Sequence, residues 1–176
     1  MSILKVQNTM LKTLIASLLA LTVFAGCIKG RDEVRCQYDA CAVKATNAEI
    51  DSVRAYLAAN NITDAIQHCS GVFYRITVAG TGAQPEPCSF IGASYTGRRV
   101  DGSVFDAGTF PQPYQLTALI RGWTNILPLV KTGGEVILYI PPSLGYGGRE
   151  IRDANNNLVL AANSMLIFTV QLTSVQ

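Results

Sequence analysis

A residue pattern typical of β-strands begins after Gly71, and it constrains the fold of this chain more than any other sequence feature. Residues 72–78 are rich in β-branched and aromatic side chains, and glycines and prolines follow them closely. The same pattern predicts further strands at 89–98, 104–106, 114–120, 135–140 and 165–172. One helix is predicted among them, from Trp123 to about Val130, and Pro128 should keep it short or bend it. Many short strands with one helix indicate an antiparallel α+β domain.

The N-terminus has the pattern of a signal peptide. Lys5 and Lys12 precede sixteen uncharged residues, which are too few to cross a membrane as a permanent helix. Residues 24–27 read Phe-Ala-Gly-Cys and resemble the lipobox of bacterial lipoproteins, in which cleavage precedes the cysteine and its thiol carries diacylglycerol. The alternative is an ordinary secretory signal that is cut nearby. We expect a lipoprotein signal peptide at 1–26, lipidation of Cys27, and anchoring to the bacterial cell envelope, in the periplasm or at the outer membrane.

An exported chain enters an environment in which thiols pair. Beyond position 27 there are four cysteines, namely Cys36, Cys41, Cys69 and Cys88. Three connectivities are possible, and the short loop between the first two favours Cys36–Cys41 with Cys69–Cys88. A metal site is the alternative, but His68 is the only histidine and no Cys-x-x-Cys pair is present, so we expect no bound metal.

The sequence between the signal peptide and the strands divides into two parts. Residues 27–45 are charged and unpatterned, which predicts a tether. Residues 46–70 are predicted to be a helical segment, because Thr46 and Glu49 form a capping box and apolar residues follow at helical spacing. This short amphipathic helix should cover the domain that begins at residue 71, although a partner protein is an alternative occupant of its apolar face.

Charge and composition limit the partners. Without residues 1–26 the chain has twelve basic and twelve acidic residues, and the basic ones are scattered. A nucleic-acid partner is therefore not expected. No long dimerisation helix is evident, so we expect a monomer.

The usual catalytic motifs are absent from the sequence. It contains no Gly-x-Ser-x-Gly, no phosphate-binding loop and no His-Glu-x-x-His, and its carboxylates are dispersed. If the protein is an enzyme, it must lower a barrier with a shaped apolar pocket, and we expect no cofactor.

Several short motifs occur in an order and spacing that resemble the FKBP-type peptidyl-prolyl cis-trans isomerases. They are Gly71–Tyr74, Ser94–Gly97, Asp101–Asp106, Leu119–Trp123, Leu138–Pro142, Leu144–Gly147 and Asn163–Phe168. The resemblance covers residues 71–176, and it implies a twisted antiparallel sheet wrapped around the short helix, with a pocket between them.

The resemblance also implies which residues form the pocket. Its apolar wall would consist of Tyr95, Phe105, Tyr114, Leu119, Ile120, Trp123, Tyr146, Leu160 and Phe168. Asp106 would be the one charged member and Trp123 the floor. The backbone N–H of Ile120 would hold a substrate carbonyl, and the Tyr146 hydroxyl would donate to another. Tyr114, Leu119 and Leu160 would contact substrate, and the others would form the catalytic site.

The implied activity suits a chain that lacks a nucleophile. An X–Pro amide isomerises slowly because twisting its C–N bond loses resonance. An apolar pocket favours the twisted amide, which has less charge separation, and no proton needs to move. We therefore predict a peptidyl-prolyl isomerase that acts on exported proteins. The alternative is a non-catalytic module that binds proline-containing segments, or a holdase chaperone of the cell envelope.

Overall fold

The computed structural model describes residues 36–176, so the predicted signal peptide and Cys27 lie outside the described residues. Two α-helices lie in this part, α1 at Asn47–Ala59 and α2 at Arg121–Ile126. The strands are β1 Ile66–Gln67, β2 Phe73–Val78, β3 Phe90–Arg98, β4 Val104–Thr109, β5 Tyr114–Gln115, β6 Glu135–Ile140, β7 Ile151–Arg152, β8 Leu158–Leu160 and β9 Leu166–Val175. Three 3-10 helices occupy Leu116–Ala118, Leu127–Leu129 and Pro142–Leu144.

Seven of these strands form one antiparallel sheet. Its order is β1-β2-β6-β9-β3-β4, and β5 pairs separately with β3. β7 and β8 form a small hairpin of their own. An antiparallel sheet with one short helix against it confirms the predicted α+β class.

Helix α1 begins where the sequence predicts. Thr46 Oγ1 accepts a hydrogen bond from the Glu49 N–H at 3.3 Å, and Glu49 Oε2 accepts one from the Thr46 N–H at 2.9 Å. This capping box satisfies donors that have no partner inside the helix. The helix ends at Ala59, and Asn61 has a positive φ of 55° that stops it.

Helices α1 and α2 cover opposite faces of the sheet. Neighbouring strands align Phe73 with Tyr139 and Tyr139 with Ile167, and this row packs with Val53 and Leu57 of α1. The next row belongs to the main core beneath α2 and consists of Tyr74, Leu138 and Phe168. Because successive strand residues point to opposite faces, the middle strands bury both sides.

Helix α2 is shorter than the prediction of Trp123 to Val130. It starts at Arg121 and gives way at Leu127 to a 3-10 helix, in which Pro128 occupies an early position. Pro128 cannot donate a backbone hydrogen bond, so it ends the regular helix. Gly122 lets α2 approach the sheet, because a Cβ there would lie 2.6 Å from Ile140 Cδ1.

The predicted strand at 114–120 is wrong beyond its first two residues. Only Tyr114–Gln115 pairs with β3, and a 3-10 helix follows. Leu116 is fully buried, and its carbonyl accepts a hydrogen bond from Thr124 Oγ1 of α2 at 2.8 Å. This burial turns the chain inward, and an alternating apolar pattern does not distinguish that turn from a strand.

The favoured disulfide pairing is also wrong. The structure joins Cys36 to Cys88 and Cys41 to Cys69, which are 52 and 28 residues apart. Sequence spacing favoured the short loop, but the chain brings residues 36–45 across the domain, so each of the first two cysteines meets a distant partner.

The predicted tether therefore differs from the structure over residues 36–45. Ala45 is buried in the main core, and its N–H donates to the Ser70 carbonyl at 2.8 Å. The Tyr38 hydroxyl donates to Asn125 Oδ1 of α2 at 2.6 Å. These contacts and the two disulfides make this segment part of the domain.

Within residues 36–176, neither helix has the length and hydropathy that a membrane span requires.

Candidate active site

A small cavity of about 100 Å³ opens between α2, β3 and the chain that follows β6. Its lining is mostly aromatic and aliphatic, and it consists of Tyr95, Asp106, Phe110, Leu119, Ile120, Trp123, Tyr146 and Phe168. We call it the aromatic pocket. Seven of these eight residues were predicted for the site from the sequence, and the structure brings them together from separate elements.

Trp123 lies at the centre of the rings. Its ring meets Tyr95 at 5.4 Å and 80°, and Phe168 at 5.3 Å and 86°, both edge to face. Phe110 stacks on it at 5.9 Å. Trp123 is 4% exposed, and its Nε1 has no hydrogen-bond partner within the described part of the chain. The indole thus packs α2 against the sheet and also presents a face to the pocket.

Glycine allows two of the rings to meet. Gly97 of β3 faces Phe168 across one strand pair, and a Cβ at Gly97 would lie 2.7 Å from both Phe105 and Phe168. Without that Cβ, the rings of Phe105 and Phe168 pack at 5.4 Å. Phe105 supports Phe168 but is not itself among the lining residues.

The pocket contains one charge. Asp106 lies opposite Gly97 and therefore diagonal to Tyr95 across β3 and β4, where side chains come within reach. The Tyr95 hydroxyl donates to Asp106 Oδ2 at 3.1 Å. Burial, the charge of Asp106 and this hydrogen bond raise the pKa of Tyr95 to about 12. Tyr95 is thus a neutral hydrogen-bond donor at any physiological pH, and its acceptor is the Asp106 carboxylate.

Two possible hydrogen-bond donors stand at the mouth of the pocket. Ile120 is the N-cap of α2, and its N–H donates to no acceptor within residues 36–176. Tyr146 follows the 3-10 helix Pro142–Leu144 and lines the cavity. Burial raises the pKa of the Tyr146 hydroxyl, and the charge of Asp106 adds to the rise. Both groups can donate to carbonyl oxygens of a peptide.

Two predicted substrate contacts lie elsewhere. Tyr114 is 40% exposed, and its ring packs against Phe110 at 4.8 Å, next to the cavity. Leu160 is 1% exposed and belongs to the main core, so it does not line the pocket as the resemblance implied. A substrate reaches Leu160 only if the core opens.

Sequence reasoning missed Phe110. It follows β4, and its N–H donates to the Ala93 carbonyl at 2.9 Å, which turns the ring onto Tyr95 and Trp123. The predicted strand ended at Asp106, three residues before the observed end. An aromatic residue directly before Pro111 was the available signal.

One cluster in residues 36–176 has the residue types of a metal site. Ligand atoms of Cys41, His68 and Cys69 lie within 4.8 Å of one another. Both sulfurs are joined in a disulfide, which leaves no thiolate to bind a metal.

The sequence and the fold are shared with known proteins. Residues 82–173 match the family described as FKBP-type peptidyl-prolyl cis-trans isomerase. The chain is 35% identical over 125 residues to the probable FKBP-type peptidyl-prolyl cis-trans isomerase FkpA of Neisseria meningitidis serogroup B, covering 69% of this chain and 44% of the relative. It is 36% identical over 127 residues to the outer membrane protein MIP of Legionella longbeachae, covering 69% and 52%.

Solved structures of peptidyl-prolyl cis-trans isomerases have a similar fold. A peptidyl-prolyl cis-trans isomerase from Pseudomonas syringae pv. tomato superposes with a TM-score of 0.62 at 28% identity, covering 75% of this chain and 96% of that one. FkpA from Escherichia coli gives 0.61 at 27% identity, covering 73% and 60%. The fold thus places the chain in the class of FKBP-like domains. The chain belongs to the FKBP-type peptidyl-prolyl cis-trans isomerase family, and it spans about half the length of the curated relatives it matches.

Proposed function

We propose that the protein is a peptidyl-prolyl cis-trans isomerase that acts on X–Pro bonds of exported proteins and assists their folding. The observation that carries the proposal is the aromatic pocket, in which the single carboxylate is hydrogen-bonded to a neutral tyrosine. Such a site binds an apolar ring and offers no nucleophile or free base. It therefore suits a reaction that changes a torsion angle and breaks no bond.

The proposed mechanism works by desolvation. The barrier to rotation about an amide C–N bond is about 18–20 kcal/mol, because twisting loses resonance. The twisted amide has less charge separation than the planar one, so removal from water favours it relative to the ground state. The rings around Trp123 supply that apolar environment. A hundredfold acceleration requires about 2.7 kcal/mol of differential binding.

Hydrogen bonds would add to this effect. The free N–H of Ile120 and the hydroxyl of Tyr146 stand at the mouth, where each can hold a carbonyl that flanks the proline. Donors fixed in advance bind a bent peptide backbone without reorganisation. Asp106 orients the Tyr95 hydroxyl through their hydrogen bond, and the mechanism transfers no proton to or from it.

A proline-peptide isomerisation assay on the full chain tests the proposal. We expect the wild type to accelerate cis-trans exchange well above the uncatalysed rate. Asp106→Ala and Phe105→Ala should each lower kcat/KM by about tenfold or more, equivalent to about 1.4 kcal/mol, with unchanged circular dichroism. A folded wild-type protein with the uncatalysed rate would contradict the enzyme. Binding of proline peptides without catalysis would then favour the binding module.

We further propose that the protein is exported, lipid-anchored through Cys27, and a monomer that meets partly folded, proline-containing proteins at the cell envelope. Support comes from the pattern of residues 1–27 and from the relative in Legionella longbeachae, which is named outer membrane protein MIP. Cys27→Ser should move the protein from the membrane to the soluble fraction of the envelope. Unchanged membrane association would refute the anchor.

A further inference from the structure

A second, larger cavity of about 470 Å³ adjoins the aromatic pocket. It shares Leu119, Ile120 and Tyr146 with the pocket, so the two cavities meet at the proposed hydrogen-bond donors. Its other side carries Arg121 and Arg149. We call this cavity the arginine groove. A peptide that leaves the aromatic pocket past Ile120 and Tyr146 enters it directly.

The two arginines of the groove differ from the other arginines in residues 36–176. Three of the others form ion pairs, Arg54 with Asp51, Arg75 with Asp64 and Arg152 with Glu150. The remaining two donate to backbone carbonyls, Arg98 to Gly102 and Arg99 to Val159. Arg121 and Arg149 have no carboxylate or carbonyl acceptor among the described residues. The two guanidinium groups that lack a carboxylate or carbonyl partner among the described residues thus lie at one place, beside the aromatic pocket.

The polar groups around the groove form no ion pair with Arg121 or Arg149 among the described residues. Burial raises the pKa of the Tyr38 hydroxyl, and Arg121 beside it opposes the rise, so a neutral phenol is the neighbour of this arginine. The Asp106 carboxylate of the adjoining pocket accepts from the Tyr95 hydroxyl at 3.1 Å. The Asp39 carboxylate accepts from the Cys41 N–H at 2.8 Å. Glu49 accepts from the Ser143 N–H at 2.8 Å and is held at the cap of α1. None of these carboxylates forms an ion pair with Arg121 or Arg149.

We propose that the arginine groove is a subsite for an acidic side chain, so that the preferred substrates carry Asp or Glu close to the isomerised proline. This inference rests on the proposed function and adds a substrate class to it. A guanidinium group binds a carboxylate through two parallel hydrogen bonds, which gives it direction as well as charge. Because the two cavities share Leu119, Ile120 and Tyr146, we place the acidic residue directly before or after the proline.

Two pairs of proline peptides test the inference on the full chain. The members of each pair differ only in Glu against Gln, placed before the proline in one pair and after it in the other. Exchange between the cis and trans forms is measured by magnetisation-transfer NMR, which needs no coupling protease. We expect kcat/KM of the wild type to be about threefold or more higher for the Glu peptide in at least one pair, and this ratio should fall with added salt.

Variants assign the preference to the groove. Arg121→Gln and Arg149→Gln should each lower the Glu/Gln ratio, and the double variant should bring it to about one. Arg54→Gln removes the same charge from α1, away from both cavities, and should keep the wild-type ratio. Thermal unfolding curves check that each variant is folded.

The outcomes separate the inference from the proposed function. Clear catalysis of both Gln peptides with a Glu/Gln ratio of one in both pairs would overturn the acidic subsite and leave the isomerase intact. A ratio above one that survives in the double variant would also overturn it. No catalysis of any of the four peptides would overturn the proposed function, and the subsite with it.

Discussion

The two faces of the sheet are each covered by a helix, but among the cavities of residues 36–176 the one on the α2 face is lined by aromatic rings, whereas the one beside α1 is not. On the α1 face, the aliphatic side chains of Val53 and Leu57 lie against Phe73, Tyr139 and Ile167. One ring pair occurs there, Tyr56 with Tyr139 at 6.2 Å. On the α2 face, rings meet edge to face around Trp123. Val53 and Leu57 fill the space over one face of the sheet, whereas the rings around Trp123 meet at steep angles and line a concave surface on the other face. The difference teaches that residue shape, rather than burial, separates the functional face from the structural one.

The substitution with the largest expected effect on this contrast is Trp123→Ala. Removal of the indole deletes the pocket floor and leaves a void in the main core, so we expect a loss of about 3–5 kcal/mol in the free energy of unfolding. The isomerase rate of the remaining folded protein should also collapse. Denaturant unfolding and a peptide assay at matched folded fraction measure both quantities. Full activity in the folded fraction would contradict the dual role of Trp123.

Leu57→Ala is the matched change on the other face. Leu57 is 6% exposed, and truncation should cost about 2–4 kcal/mol through lost burial and a cavity. The isomerase kcat/KM per folded molecule should stay within about twofold of the wild type, since the change touches no pocket residue. A large loss of activity in stable, folded Leu57→Ala protein would show that α1 shapes the pocket, and the contrast between the faces would fail.

The smallest expected effect is a pH dependence that comes from Tyr95 of the pocket face. The pKa of Tyr95 is raised to about 12, above its ordinary value near 10, so the folded state favours the protonated phenol. The stability from this preference is fully present below about pH 10 and is lost as pH rises towards 12. Asp106→Asn removes a negative charge and should lower the pKa of Tyr95, which makes the loss smaller.

Denaturant unfolding between pH 9 and 11 measures this change. Asp51→Asn serves as the control, because it removes a carboxylate from α1 and should leave the alkaline loss as in the wild type. An identical slope for Asp106→Asn and wild type would contradict the coupling between Tyr95 and Asp106.

Much of the fold was predictable from local patterns. The capping box at Thr46 and the strand from Glu135 to Ile140 occur where the sequence predicts them, because each depends on near neighbours in the chain. The strand at 114–120 was mispredicted, because the burial of Leu116 under α2 is a tertiary effect. The hairpin of β7 and β8 is not among the strands that the sequence predicts, although Asp153 organises its turn by accepting the N–H groups of Asn155 and Asn157.

Long-range pairings were the least predictable. The cysteine spacing favoured a short loop, and nothing local shows that Cys36 reaches Cys88. The site was predicted better than the disulfides, because the family resemblance fixed positions such as Tyr95 and Asp106. It misplaced Leu160, whose exposure depends on the packing of β8, and it omitted Phe110, which depends on where β4 ends.

The most direct test of the account compares kcat/KM for one proline peptide among three proteins, namely wild type, Leu57→Ala and Asp106→Ala, with each rate divided by the folded fraction. The account predicts about tenfold or greater loss in Asp106→Ala, equivalent to about 1.4 kcal/mol or more, and near wild-type activity in Leu57→Ala. Equal rates for Asp106→Ala and wild type would contradict the assignment of catalysis to the aromatic pocket.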